Sequence, residues 1–264
     1  REWVTDRTRR RKAVVPKEIT FKTKPAIALD HLRWACAMGL PRGVVLMDAG
    51  YGTDTALRGS ITELGLSYVA GILPQTSVWA LGTGPRPPKK WLGNGRPPKL
   101  LGRDSKHRPI SARKLAIGLP AHAWHKITWR EGTAERLSSR FARVRVRPAH
   151  RDYRLAESRP EEWLLIEWPE GEEAPTKYWL STLPSNIGFR QFVDMVKLRW
   201  RIERDYHDLK QEIGLGHFEG RGWRGFHHHA TLCIAAYGFL VSERETNSPS
   251  EAASTKIFKK VAIP

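Results

Sequence analysis

The sequence predicts an α/β fold with a β-rich middle section, and three features of the 264-residue chain carry that expectation. Between residues 25 and 72 the apolar pattern alternates helix, strand, helix, strand, which is the order of an α/β layer. From 124 to 182 four segments alternate or run aromatic, as strands do. Beyond 189 the apolar period returns to that of helices.

Each element has a local reason. Residues 1–24 are basic and irregular, with Arg7 to Lys12 almost wholly cationic. Pro25 suits the first turn of a helix. That helix runs through Leu29, Leu32 and Ala35 to Met38 and stops at Gly39. Val44 to Met47 is a short apolar run, the pattern of a buried parallel strand. Asp54 to Leu64 is helical, in a register set by Leu57, Ile61 and Leu64, and Leu66 to Ile72 is a second buried strand. The strands of the middle section are Trp124–Arg130, Arg140–Arg147, Glu162–Trp168 and Lys177–Thr182. Residues 189–213 form one helix, and Thr231 to Val241 an apolar one. No internal repeat is visible.

The densest signal lies in Arg199-Trp-Arg-Ile-Glu203-Arg-Asp-Tyr-His-Asp-Leu-Lys210. At about 100° per residue, Arg199, Glu203 and Lys210 fall within roughly 40° of one another on a helix. Ile202, Tyr206, Leu209 and Ile213 occupy the adjoining arc, which would anchor the helix. An acid held between two cations stays ionised at neutral pH. Such an acid suits metal binding beside a phosphate backbone.

Here the chain resembles a known family. Arg-x-x-x-Glu-x-x-x-x-x-x-Lys is similar to part of the YREK signature of insertion-sequence DDE transposases, although Val196 stands where the family has its tyrosine. Val-Val-Leu-Met-Asp48-Ala-Gly-Tyr-Gly resembles the family's second-aspartate motif. Gly-Leu-Gly-His-Phe-Glu-Gly-Arg-Gly-Trp-Arg-Gly-Phe-His-His-His resembles the continuation in one subgroup. The resemblance implies an RNase H-like core interrupted by a β-rich insertion. Residues 1–72 would carry the second aspartate, 73–180 the basic insertion, 181–246 the helical return with the glutamate, and 247–264 a tail. It also implies Mg²⁺-dependent phosphoryl transfer at a two-metal site, with Asp48 and Glu203 as metal ligands. Arg199 and Lys210 would then contact DNA near the cleaved phosphate. The partners implied are transposon ends and target DNA, with self-association on DNA.

The family triad needs a further aspartate on the first core strand. Asp6 lies in a charged irregular segment and Asp30 on a helix, so neither sits at a strand end. An RNase H-like core places on the order of sixty residues before the second aspartate, more than precede Asp48 here. The expectation is therefore an N-terminally truncated core with an incomplete metal site, inactive alone. The alternative is a non-catalytic DNA-binding remnant.

Composition points the same way with less specificity. The chain carries 45 Lys and Arg against 27 Asp and Glu, a formal charge of +18. Such charge attracts polyanions through phosphate contacts and counterion release. A basic RNA-binding protein would share it, but would leave Asp48 and Glu203 unexplained. Between Arg86 and Arg154 stand 19 basic residues and four acids, a net +15. The Pro- and Gly-rich part of that stretch reads as an extended basic loop. In Arg140–Arg147 strict alternation sends Ala142, Val144 and Val146 one way and Arg143, Arg145 and Arg147 the other. An arginine face of this kind either lies on a phosphate backbone or is a solvated sheet face. Beside a DDE-like motif, DNA contact is the better reading.

The remaining features are plainer. No run approaches 18 apolar residues, so no membrane span is expected. Cys36 and Cys233 lack ligand spacing, which fits a reducing cytoplasm at the nucleoid. His227, His228 and His229 diverge by about 100° per residue on a helix and cannot share one ion. Trp124, Trp129, Trp163, Trp168 and Trp179 read as core, with one or two able to stack on a base. Glu161 with Glu162, and Glu170 to Glu173, read as solvated loop acids.

Overall fold

The computed structural model describes residues 5–105, 107–129 and 136–247. Contacts divide the chain into two units. One is Lys22–Arg199, and the other joins the residues up to Phe21 with those from Trp200 onward.

The Lys22–Arg199 unit is built on an eight-stranded mixed sheet, compatible with an RNase H-like fold. Helix α2 (Lys24–Ala37) leads to β1 (Val44–Met47), the short turn α3 (Ala49–Gly52), α4 (Thr55–Glu63) and β2 (Ser67–Ile72). Then come β3 (Ser77–Ala80), β4 (Ile110–Ser111), α5 (Ala112–Ile117), β5 (His125–Trp129), β6 (Leu137–Pro148), β7 (Glu162–Trp168), β8 (Lys177–Ser181) and α6 (Phe189–Lys197). The sheet order is β1-β2-β8-β7-β6-β3-β4, with β5 also on β6. Among the described residues only β1 and β2 pair in parallel, with Met47 opposite Ala70, and the other pairs are antiparallel. The strands of the middle section thus continue the same sheet as β1 and β2. Among the described residues, the outer edge of β1 carries no partner strand.

Both faces of the sheet are covered, and strand alternation decides which residue meets which layer. Tyr68, Ala70, Leu164, Ile166 and Leu180 pack with Leu57 and Ile61 of α4 and Leu115 of α5. Val69, Phe141, Trp163 and Leu165 pack with Phe192, Val193 and Val196 of α6. Strand β7 is buried through Glu162–Glu167, because it lies mid-sheet with helices on both sides. Local signals set the helix starts. Thr23 caps α2 with Pro25 in its first turn, and Asp54 caps α4 by accepting from the Ala56 and Leu57 N–H groups.

Four expectations need correction. The basic N-terminal stretch is not wholly irregular: Asp6 caps α1 (Arg7–Lys12) by accepting from the Arg9 N–H. Residues 189–213 do not form one helix but break at Leu198 and Arg199 into α6 and α7 (Trp200–Gln211). Glu162 is not a solvated loop acid, being only 7% exposed at the start of β7. The apolar arc of α7 is only partly anchored, since no residue of α7 is buried and Ile202 and Tyr206 are about half exposed. The predicted strand end at Arg130 and the tail beyond Asn247 lie outside the described residues.

In the second unit, α8 (Trp223–Asn247) extends well past the predicted Thr231–Val241. The Tyr237 hydroxyl donates to Asp205 of α7 at 2.8 Å. Burial and that carboxylate push the phenol up to about 12. Trp223 N–H donates to the Ala13 carbonyl at 2.8 Å, which joins the α1 segment to the start of α8.

Candidate active site

Parallel pairing of β1 and β2 places Asp48 at the carboxyl end of β1, beside Gly71 of β2. Ligands gather at such strand ends in α/β sheets. Asp48 also caps the following turn. Its Oδ1 accepts from the Gly50 N–H at 2.9 Å and the Tyr51 N–H at 3.2 Å. Its Oδ2 lies 4.0 Å from Nη1 of Arg199, and the side chain is 47% exposed. One oxygen therefore holds the turn and the other faces a guanidinium.

The turn is tightly seated. A Cβ on Gly52 would lie 2.1 Å from the Gly71 carbonyl oxygen, and one on Gly71 would lie 3.0 Å from the Ala49 nitrogen. Only glycine at both positions lets the Asp48 turn rest on β2. Beneath it Arg58, 3% exposed, donates from Nη1 to the Gly52 carbonyl. Arg58 stands in a buried polar cluster with Tyr68 and Glu162. Burial raises both acidic groups, while Arg58, Arg159 and Arg145 pull Glu162 the other way. Sequence reasoning missed Arg58 and Gly71 as supports of Asp48. The available signal was an arginine next to Leu57 on the buried face of α4.

Arg199 lies in the turn between α6 and α7, so it does not share a helix with Glu203 and Lys210. The latter pair is separated by two helical turns on α7 and stays on one face. Glu203 and Lys210 are exposed, and Lys210 Nζ lies 5.5 Å from the Tyr206 ring centroid. The motif's arginine thus meets Asp48 within the sheet unit, while its glutamate and lysine belong to the other unit.

The arginine face of β6 is half-buried rather than fully solvated. Arg143 stacks on Trp163 and Phe189 and donates to the Ile187 carbonyl, and desolvation lowers its pKa. Arg145 stacks on Trp163 and donates to the Glu161 carbonyl. Arg147 pairs with Glu161 at 3.4 Å. All three are half-buried because α6 and Trp163 supply aromatic and carbonyl partners on that side. The loop at 84–100 has no helix or strand, as its Pro and Gly content predicts. His227 packs on Trp223 and His229 on Phe218.

The family's metals need several carboxylates together. Among the described residues, no group of three or more His, Cys, Asp or Glu stands placed to hold an ion. Asp48 offers a hard oxygen donor of the right chemistry, but the residues present do not by themselves form the two-metal site.

The sheet unit is thus a mixed α/β layer with a carboxylate at the end of a parallel strand, answered by an arginine from the far end of the unit. The family model for DDE superfamily endonucleases matches residues 1–136, about half the chain, and the protein belongs to that family. Membership points to a nuclease or transposase role. No curated protein matches the chain. No helix among the described residues is long and apolar enough to cross a membrane.

Proposed function

We propose that this protein is a transposase of the insertion-sequence type, acting on DNA ends by DDE phosphoryl transfer with Mg²⁺. One observation carries the reading. Asp48 and Arg199 are far apart in sequence, come from the two motifs singled out above, and meet at 4.0 Å. Asp48 and Glu203 are proposed as two of the acidic metal ligands, with Arg199 and Lys210 beside the phosphate. The family match spans Asp48 and stops before Glu203, so the role of Glu203 rests on its motif and helix. DNA is the proposed partner, drawn by the basic 86–154 segment. Exposed Leu232, Ile234, Phe239 and Leu240 along α8 support self-association on it. A second reading, a DNA-binding remnant without catalysis, is favoured by the lack of a three-acid cluster among the described residues.

Metal affinity tests the first reading without requiring turnover. With Mn²⁺ as a spectroscopic probe, Asp48→Asn and Glu203→Gln should each weaken binding by about tenfold, on the scale of losing a metal-site group. Duplex DNA binding in a chelator should be spared. Equal Mn²⁺ affinity in the parent and both variants would sink the assignment of these two acids.

A further inference from the structure

The second unit contains a cleft of about 1210 Å³ that plays no part in the Asp48 site. Its walls come from α1 and the loop after it, and from the Phe218–Phe226 stretch that opens α8. Two kinds of side chain line it. Phe218, Trp223 and Phe226 give aromatic surface, while Lys12 and Arg221 add positive charge, with Arg9 held by Asp6 nearby.

The aromatic wall is preorganised. A Cβ on Gly220 would lie 2.5 Å from the Phe218 ring, and one on Gly225 would lie 3.2 Å from it, so the backbone rests against Phe218. His229 stacks on the same ring at a centroid distance of 5.4 Å, and Phe226 meets it edge-on at 5.9 Å. Trp223 is fixed through its backbone by the bond to Ala13 and through its ring by His227 at 4.2 Å. The opposite wall is equally fixed, because Arg10 donates to the Ile19 carbonyl at 2.6 Å and so closes the loop after α1. Even so, Phe226 keeps 49% of its surface exposed. A half-exposed ring on a rigid backing is a poor core residue and a good stacking platform.

We infer that this cleft binds an unpaired DNA strand, its bases stacking on Phe226 and Trp223 and its phosphates meeting Lys12 and Arg221. Single-strand sites combine these two elements, aromatic rings for base faces and cations that track the backbone. Duplex DNA hides its base faces and cannot use the rings. At about 1210 Å³ the cleft is larger than the roughly 300–1000 Å³ of a small-molecule pocket and has room for a strand. The inference rests on the DNA-acting reading above, but it concerns a different surface.

The test is fluorescence anisotropy in a chelator, using the whole chain with a labelled oligothymidylate of about eight nucleotides and a duplex of equal length. Phe226→Ala and Trp223→Ala should each weaken oligothymidylate binding by about tenfold and change duplex binding little. Phe226→Leu keeps apolar bulk without a π face and should lose the same affinity, whereas Phe226→Tyr should retain it. If Phe226→Leu binds the single strand as the parent does, stacking is absent and the proposal falls. Duplex affinity that drops in parallel would also overturn it, since the rings would then be supporting the fold. Strong duplex binding with no single-strand binding would reject the cleft and leave the transposase reading standing. Failure to bind either form would remove both.

Discussion

Gly52→Ala probes how firmly the Asp48 turn is seated. The added methyl would sit 2.1 Å from the Gly71 carbonyl oxygen, 3.0 Å from Ala70 Cβ and 3.1 Å from the Ala70 carbonyl carbon. An ordinary carbon contact is about 3.5–4.0 Å, so the turn must lift off β2 by more than an ångström. The obstruction is mainly strand backbone, which cannot rotate away. The cost should therefore reach the upper end of overpacking, about 3 kcal/mol, against a total of about 5–15 kcal/mol. At roughly 2–4 °C per kcal/mol for a chain of this size, the melting temperature should fall by about 6–12 °C. Gly59→Ala is the matched control. Gly59 is exposed within α4 with nothing within 4 Å of its would-be Cβ, so alanine there should stabilise by about 0.5–1 kcal/mol. Urea unfolding of the two variants and the parent, with unchanged slopes, measures both effects. The Gly52 N–H donates to the Asp48 carbonyl at 2.7 Å, so Mn²⁺ affinity should drop in Gly52→Ala and not in Gly59→Ala. A Gly52→Ala variant as stable as the parent would refute the seating of the turn on β2.

Three further outcomes are expected. Asp152, 1% exposed, accepts from Trp79 Nε1 at 2.6 Å and from Arg103 Nε at 2.9 Å, so Asp152→Ala should cost about 3–5 kcal/mol in the same urea assay. Burial holds the folded-state pKa of Glu162 above its ordinary 4.5, so its contribution to stability is present below that value and is lost as pH rises through the raised one. Urea midpoints across that range should show the decline in the parent and less of it in Glu162→Gln. Replacing Arg143, Arg145 and Arg147 together with Ala should flatten the slope of log K against log salt by at most about three phosphate contacts. It should also lower the melting temperature, since two of the three donate to backbone carbonyls. An unchanged slope would give the β6 arginines a purely structural role.

Much of this architecture was legible in local signals. Strand β7 matches the predicted Glu162–Trp168, and Pro25 and Asp54 mark real helix starts, because caps and apolar runs act within a few residues. The break at Leu198 and Arg199 has no Gly or Pro to announce it, and the apolar pattern runs through it unbroken. Strands β3 and β4 are short and owe their pairing to distant partners, so alternation alone could not find them. Both acidic motifs were visible, yet the approach of Arg199 to Asp48 depends on how the whole sheet closes. Alternation also showed which way the β6 arginines point, but not that Trp163 and Phe189 would be waiting there.

The discontinuous make-up of the second unit bears on how the chain acquires its structure during synthesis. Lys22–Arg199 is continuous and can form as it emerges, while the residues up to Phe21 must wait for those from Trp200 onward. At roughly 5–20 residues per second that delay is on the order of 10–40 s. Throughout it the cationic helix Arg7–Lys12 lacks the partners from Trp200 onward that it has in the finished unit. The bond from Trp223 to Ala13 closes one of the longest loops in the molecule. Its formation should therefore be a late event in folding, and the stretch around Arg7–Lys12 should be the first site cut when nascent chains meet a trypsin-like protease.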